Sequence, residues 1–146
     1  MIGQDRAEIE ALLCRFMQAF DERDWTALRT CLDARVFCDY SSLRGQTPGE
    51  ISADEYVAQR SDSLSSLRMQ HNFSNLQTAV DGDRASARCN YLILRFLDED
   101  RYFHSFGHYR FEFLRRDGSW KVSSITQNLL QNVGDPSIHG GVKKQA

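Results

Sequence analysis

The sequence has no long apolar run, no paired-cysteine motif and no surplus of either charge, and each absence narrows what the chain can be for. Its apolar runs are a few residues long, whereas a membrane-crossing helix needs about 20, so no membrane span is expected. The opening MIGQDRAEIE is polar and charged from the outset, which argues against a secretory signal and for a cytoplasmic protein. Lys and Arg number 18 against 20 Asp and Glu, for a formal net charge of -2. The basic residues are scattered singly, so there is no electrostatic footprint for nucleic acid. Cys14, Cys31, Cys38 and Cys89 form no C-x-x-C pair and no metal-ligand spacing, and read as reduced core thiols. No three ligands converge by spacing, so no metal is expected. Nor is there an internal repeat or a low-complexity segment; 146 residues suit one domain with a sizeable core.

What the chain does contain is a strongly patterned first helix. Ile9, Leu12, Leu13, Phe16, Met17 and Phe20 recur at steps of three and four, which marks a helix with one buried stripe. Asp21 extends that stripe, falling on the flank of Met17 and Leu13 at roughly 100° per residue. A carboxylate there is doubly disfavoured: it is carried toward apolar packing and stands at the negative end of the helix macrodipole. It needs a cationic or hydrogen-bonding partner. The plainer alternative ends the helix at Phe20 and turns Asp21 to water.

Asp5 followed by Glu8 is a capping-box-like start for this helix. Asp24 is placed to N-cap a short second helix with Trp25, Leu28, Cys31 and Leu32 on its apolar side. Arg35 to Tyr40 reads as a strand. The stretch Ser41 to Glu50 carries Gly45, Pro48 and Gly49 and reads as a loop, a candidate lid. Ser52 with Glu55 starts a third helix that continues to about Leu67. Its apolar face is thin and interrupted by Arg60, which suits a helix lying across the mouth of something.

From Gln70 the pattern alternates. Turn signals at Asp81-Gly82-Asp83, Asp98-Glu99-Asp100 and Asp117-Gly118 divide the remainder into four strands. They are long enough to require a bent sheet, through bulges and at Gly107. In the third, Phe103, Ser105, Gly107, Tyr109, Phe111 and Phe113 share one face; Tyr102, His104, Phe106, His108, Arg110, Glu112 and Leu114 take the other. Aromatics on both faces imply a second cover, for which a partner subunit in a homodimer or homotrimer is the simplest. A single domain is expected over residues 1–133, with 134–146 a C-terminal arm or disordered tail.

This order of elements resembles the nuclear-transport-factor-2-like (NTF2-like) superfamily, whose α+β fold is a cone of three N-terminal helices packed on a strongly curved, mostly antiparallel sheet. The closing R-R-D-G-S-W-K-V resembles the last hairpin of that superfamily. Phe20-Asp21-Glu22-Arg23-Asp24-Trp25, Asp39-Tyr40-Ser41 and Gln70-His71-Asn72-Phe73 are most similar to the SnoaL-like proteins and to scytalone dehydratase, a cofactor-free enzyme that removes water from a cyclic β-hydroxyketone. The resemblance implies that Asp21 orients His71, the acid/base, and that Tyr40 helps hold a water against the substrate carbonyl. It has departures. Phe20 stands where the family has a second water-holding tyrosine, a second pocket histidine aligns near Phe96, and Gly107 and Tyr109 replace a serine and an asparagine.

On that resemblance the chain is expected to be a cofactor-free lyase or isomerase for a small cyclic carbonyl compound, aromatic or polyketide-like. Asp21, His71 and Tyr40 would be catalytic, and Phe16, Phe20, Tyr56, Phe73, Phe96 and Tyr109 would wall a pocket for a hydrophobic or aromatic substrate. The rival is a non-catalytic small-molecule-binding or assembly module of the same fold. Beside a carboxylate, His71 is expected to titrate above its free value, with burial pulling the other way. Tyr40 either polarises a carbonyl or is an ordinary strand aromatic with its tip in water. His104 and His108 belong to the outer face by parity, roughly 13 Å apart along the strand and too far for easy shared ligation.

Overall fold

The first helix buries its stripe completely in the computed structural model, which describes residues 2–142. Helix α1 spans Ile2–Asp21, and its six stripe residues are 4 % exposed or less. Asp21 is therefore still helical. The chain turns at Arg23 (φ 52), whose Nη1 donates to the Leu67 carbonyl at 2.8 Å. Asp5 does not cap the helix, as its spacing to Glu8 predicts. It is buried one turn in, where Oδ1 accepts from Arg115 Nη1 at 2.6 Å and Trp120 Nε1 at 3.3 Å. Tertiary partners outcompete the local cap, and α1 carries an acid at each end that ties it to the sheet.

Helix α2 (Trp25–Cys31) is N-capped by Asp24, which accepts from the Ala27 N–H at 3.0 Å. Strand β1 (Leu32–Asp39) follows without a break. The predicted loop at 41–50 is more ordered than its composition suggests. It holds one helical turn, α3 (Ser41–Arg44), ended by left-handed Gly45 (φ 70), and an edge strand, β2 (Gly49–Ser52), antiparallel to β1. Four residues are too few for alternation to show in sequence. Helix α4 (Ala53–Leu64) is capped by Ser52, which accepts from Glu55 N–H at 3.1 Å.

Strands β3 (Arg68–Asp81), β4 (Arg84–Phe96), β5 (Phe103–Arg116) and β6 (Ser119–Gly134) form the long meander. The sheet order is β2-β1-β6-β5-β4-β3, antiparallel throughout except where β6 lies parallel to β1. Register shifts at Ser74/Gln77, Phe106/Gly107 and Glu112/Phe113 bend the strands. At Gly107 a Cβ would stand 2.0 Å from the Asn128 carbonyl oxygen, so the close backbone approach at this bulge admits only glycine. The last hairpin turns on Asp117 (φ 50) and Gly118 (φ 79), the two positive φ values whose twist matches the flanking strands.

The face of the sheet that carries Phe103, Tyr109, Phe111, Phe113, Val122 and Ile125 joins the helix stripes in one core. The opposite face leaves Leu92, Phe106 and Leu130 exposed. Beyond Gly134 the chain folds back: Asp135 caps a 3₁₀ turn at Pro136–Ile138, Ile138 and His139 are buried, and the Gly140 N–H donates to the Ser63 carbonyl of α4 at 3.3 Å. Up to Val142 this is a packed arm, while residues 143–146 of the expected tail lie outside the described residues. No helix among the described residues is long and apolar enough to cross a membrane.

Candidate active site

Packing of α1 along β3 brings the end of the helix against the start of the strand. One oxygen of Asp21, Oδ1, accepts the backbone N–H of His71 at 2.8 Å and lies 2.7 Å from its Nδ1. A carboxylate oxygen only accepts, so Nδ1 is the protonated nitrogen and Nε2 keeps its lone pair. The ring is tilted against Phe20, centroid to centroid 4.8 Å. Burial pulls the His71 pKa below its ordinary value; the hydrogen bond and charge of Asp21 oppose this, and Arg95 adds to the lowering. This reverses the expected rise, because desolvation of a buried imidazolium outweighs one carboxylate. At neutral pH the ring is a neutral base.

His71 faces a small cavity of about 20 Å³, room for one water molecule. Phe20, Leu43, Leu64 and Ile93 supply apolar wall, and Tyr40, Tyr109, Gln127 and His139 supply polar groups. Three guanidinium groups, of Arg44, Arg60 and Arg95, complete it. An adjoining cleft of about 180 Å³ is lined by Cys38, Gln46, Thr47, Glu50 and Gln59 and shares Tyr40 and Arg60 with the cavity. Those two side chains are the partition between the chambers.

The Tyr40 hydroxyl is 2.6 Å from that of Tyr56, and Arg60 lies over both rings at 4.3 and 4.2 Å from their centroids. Burial pushes the Tyr40 phenol up, so it is a neutral donor. Gln127 donates from Nε2 to the Tyr109 hydroxyl at 3.1 Å, and its Oε1 is buried without a partner among the described residues. His139 is held neutral, its pKa pushed down to about 2 by burial and then by the like charges of Arg95, Arg44 and Arg60. Its Nδ1 accepts from the Gly141 N–H at 3.0 Å.

Of the residues expected from sequence, Asp21 and His71 meet, and Tyr40, Phe20 and Tyr109 line the cavity. Phe16 sits a layer deeper, edge-on to Phe20 and Phe111. Tyr56 reaches the site only through Tyr40, and Phe73 packs half-buried against the core away from the cavity. Phe96 is a correction. The alternation of β4 puts Ala85, Ala87, Cys89, Tyr91, Ile93 and Arg95 on the covered face, so Phe96 points outward and packs against His104 and Tyr102. Its neighbour Arg95 is the residue that enters the site. His104 is on the outer side of β5, where its Nδ1 accepts from the Arg95 backbone N–H at 3.1 Å. No group of three potential metal ligands forms among the described residues.

Sequence reasoning missed Arg44, Arg60, Arg95, Gln127 and His139. Two of them carried a signal. Arg60 stands four residues from both Tyr56 and Leu64, on the apolar stripe of α4, and Arg95 continues the inward period of β4.

A six-stranded curved sheet with helices on one face and a polar cavity beneath them defines an NTF2-like protein. The SnoaL-like domain model matches residues 3–126, and the chain belongs to that family. Scytalone dehydratase-like protein claB from Passalora fulva is 26 % identical over 58 residues, 40 % of this chain and 36 % of the relative, so the match spans about a third of that protein. The crystal structure of Kfla4162 from Kribbella flavida superposes with a TM-score of 0.86 at 23 % identity, covering 91 % of this chain and 95 % of the other. A hexachlorocyclohexane dehydrochlorinase, LinA type 2, gives 0.76 at 22 % identity over 93 % and 92 % of the two chains.

Proposed function

We propose that the protein is a cofactor-free lyase or isomerase acting on a small cyclic carbonyl compound, aromatic or polyketide-like, with Asp21 and His71 as its proton-transfer pair. The observation that carries this reading is the single Asp21 oxygen that holds both N–H groups of His71 and leaves Nε2 free toward the cavity. The names of two relatives, a dehydratase-like protein and a dehydrochlorinase, both denote eliminations and support it.

In this chemistry His71 Nε2 removes a proton from the carbon next to the carbonyl. Asp21 stabilises the imidazolium that forms, and the Tyr40 hydroxyl donates to the carbonyl oxygen as negative charge develops there. For elimination, the electron pair of the broken C–H bond becomes a C=C bond while the bond to the β-hydroxyl breaks. The departing oxygen takes the proton from His71 and leaves as water. For isomerisation the same proton returns to a different carbon. Substrate is accommodated when the Tyr40–Arg60 partition opens the cavity to the cleft. The same reading includes a homodimer or homotrimer joined through the outer sheet face, where Leu92, Phe106 and Leu130 are exposed.

Hydrogen–deuterium exchange at the α-carbon of 1-tetralone in heavy water, followed by NMR, tests the base without requiring the correct leaving group. Wild-type protein is expected to accelerate exchange and His71→Gln to abolish it. Equal rates with the two proteins would remove the basis for an enzyme.

A further inference from the structure

Proton transfer between Asp21, His71 and a carbonyl compound uses none of the three guanidinium groups in the same cavity. Arg60 and Arg95 are 2 % exposed and Arg44 is 7 % exposed. Among the described residues no carboxylate lies within ion-pair distance of any of them. Their hydrogen bonds go to neutral groups: Arg44 to Ser63 Oγ at 3.2 Å, Arg95 to Ser105 Oγ at 2.8 Å and the Phe103 carbonyl at 3.3 Å, Arg60 to Gln59 Oε1 at 3.5 Å. Each guanidinium carries five N–H donors, so most of this capacity is unused. Buried charge that is neither paired nor fully hydrogen-bonded is destabilising, and three like charges on one small cavity add mutual repulsion. Burial lowers Arg44 to about 9 and Arg95 to about 10, with Arg60 contributing to the fall at Arg44. Burial opposes the charge of Arg60 as well, but the two tyrosines beside it favour that charge by more, so Arg60 moves the other way and all three are cations at neutral pH.

We infer that the substrate is an organic anion, a cyclic or aromatic compound whose carboxylate is bound by Arg60, Arg44 and Arg95 while the carbon next to its carbonyl meets His71. The reaction named here rests on the lyase or isomerase reading; the anion site does not. Arg60 lines both cleft and cavity, so it is the first cation an entering ligand meets. Its planar fork, seated over two tyrosine rings, matches a planar carboxylate in bidentate fashion. Phe20, Leu43 and Ile93 supply the apolar wall for the ring that carries it. The arrangement has a catalytic corollary. A bound carboxylate screens Arg95 from His71 and so favours the imidazolium on which proton abstraction depends.

Benzoate, its neutral isostere benzamide, and inorganic phosphate are titrated into the full chain and followed by thermal unfolding and ligand-observed NMR. Benzoate is expected to bind saturably, and benzamide roughly tenfold or more weakly, the scale of a lost charge-assisted hydrogen bond. Arg60→Met and Arg95→Met should erase that preference, whereas Asp21→Asn should keep it. Without ligand, Arg44→Met should melt no lower than wild type, since it removes a buried cation that has no carboxylate partner and that burial and Arg60 both disfavour; a purely structural arginine predicts a lower Tm. If Arg60→Met does not fold, Arg60→Lys keeps the charge without the fork and should weaken benzoate binding. No benzoate binding, equal affinity for benzoate and benzamide, a preference for phosphate, or a benzoate preference that survives the arginine substitutions overturns the proposal. Benzoate preference without α-proton exchange in any ketone upholds the anion site and removes only the catalytic reading.

Discussion

Replacing Asp21 by asparagine removes one charge and almost no volume, and the geometry says how its effects should divide. The amide oxygen still accepts the His71 backbone N–H, now 2.8 Å from Oδ1, so the link between helix and strand survives in weakened form. A loss of about 1 kcal/mol is expected, or roughly 2–4 °C in Tm for a domain of this size. The contact at 2.7 Å to Nδ1 fares differently. Both contributions of Asp21 to His71 raise its pKa against burial, so the variant should titrate lower still. If the amide flips it donates to Nδ1 instead, at the expense of the backbone contact, which moves the ring proton to Nε2 and removes the base. Together these should slow turnover or α-proton exchange by about 10²- to 10⁴-fold, the range of general acid–base catalysis. The assay pairs NMR titration of the His71 ring with the exchange rate and a thermal melt. Exchange within threefold of wild type, or a His71 pKa unmoved by the substitution, would refute the reasoning and leave Asp21 a structural clamp like Asp5.

Three further outcomes follow from features away from that pair. His139 titrates near 6.5 when free but is pushed down to about 2 in the fold, so folding favours its neutral form. Its contribution to stability is complete above pH 6.5 and is lost as pH falls, at up to about 1.4 kcal/mol per pH unit; urea unfolding at pH 7 and pH 5 should show this slope, shallower by that amount in His139→Gln. Gly107→Ala forces a Cβ onto the Asn128 carbonyl and should destabilise by about 3 kcal/mol or more, read as a lower urea midpoint at unchanged m. Phe106→Glu, on the exposed apolar strip of β5, should convert a sedimenting oligomer to monomer, and a wild-type monomer at micromolar concentration contradicts the oligomer.

The legible parts of the chain are those where local chemistry and tertiary packing agree. Asp24 and Ser52 cap as their spacing says, because no stronger partner competes for them. The stripe of α1, the turn at Asp117-Gly118 and the face parity of β5 likewise follow from period and turn chemistry. Asp5 shows the opposite case, where the partners Arg115 and Trp120 lie more than a hundred residues away. In β4 the run from Tyr91 to Phe96 is apolar on both faces, apart from one arginine, and an arginine suggests the wet face. The covered face is where Arg95 goes, and only the earlier period of Ala85, Ala87 and Cys89 hints at it. Arg44 and His139 carried no signal, since each is placed by a short turn that neither periodicity nor composition reveals.

The position of β6 in the sheet bears on how the protein is made. This last strand lies between β1 and β5, so β1 and β2 have only each other until residues 119–134 have been synthesised. An isolated two-stranded hairpin is marginal in water, and a pairing between residues some 90 apart in sequence closes slowly. Tyr40 and Arg44 follow β1, Gln127 lies on β6 and His71 on β3. Before β6 the nascent chain therefore holds its sheet in two pieces joined only through the helices, and insertion of one strand completes scaffold and site in the same event. Until then the apolar edges of both fragments are open to other chains, which makes aggregation during synthesis, rather than instability of the finished fold, the main hazard for substitutions in β6.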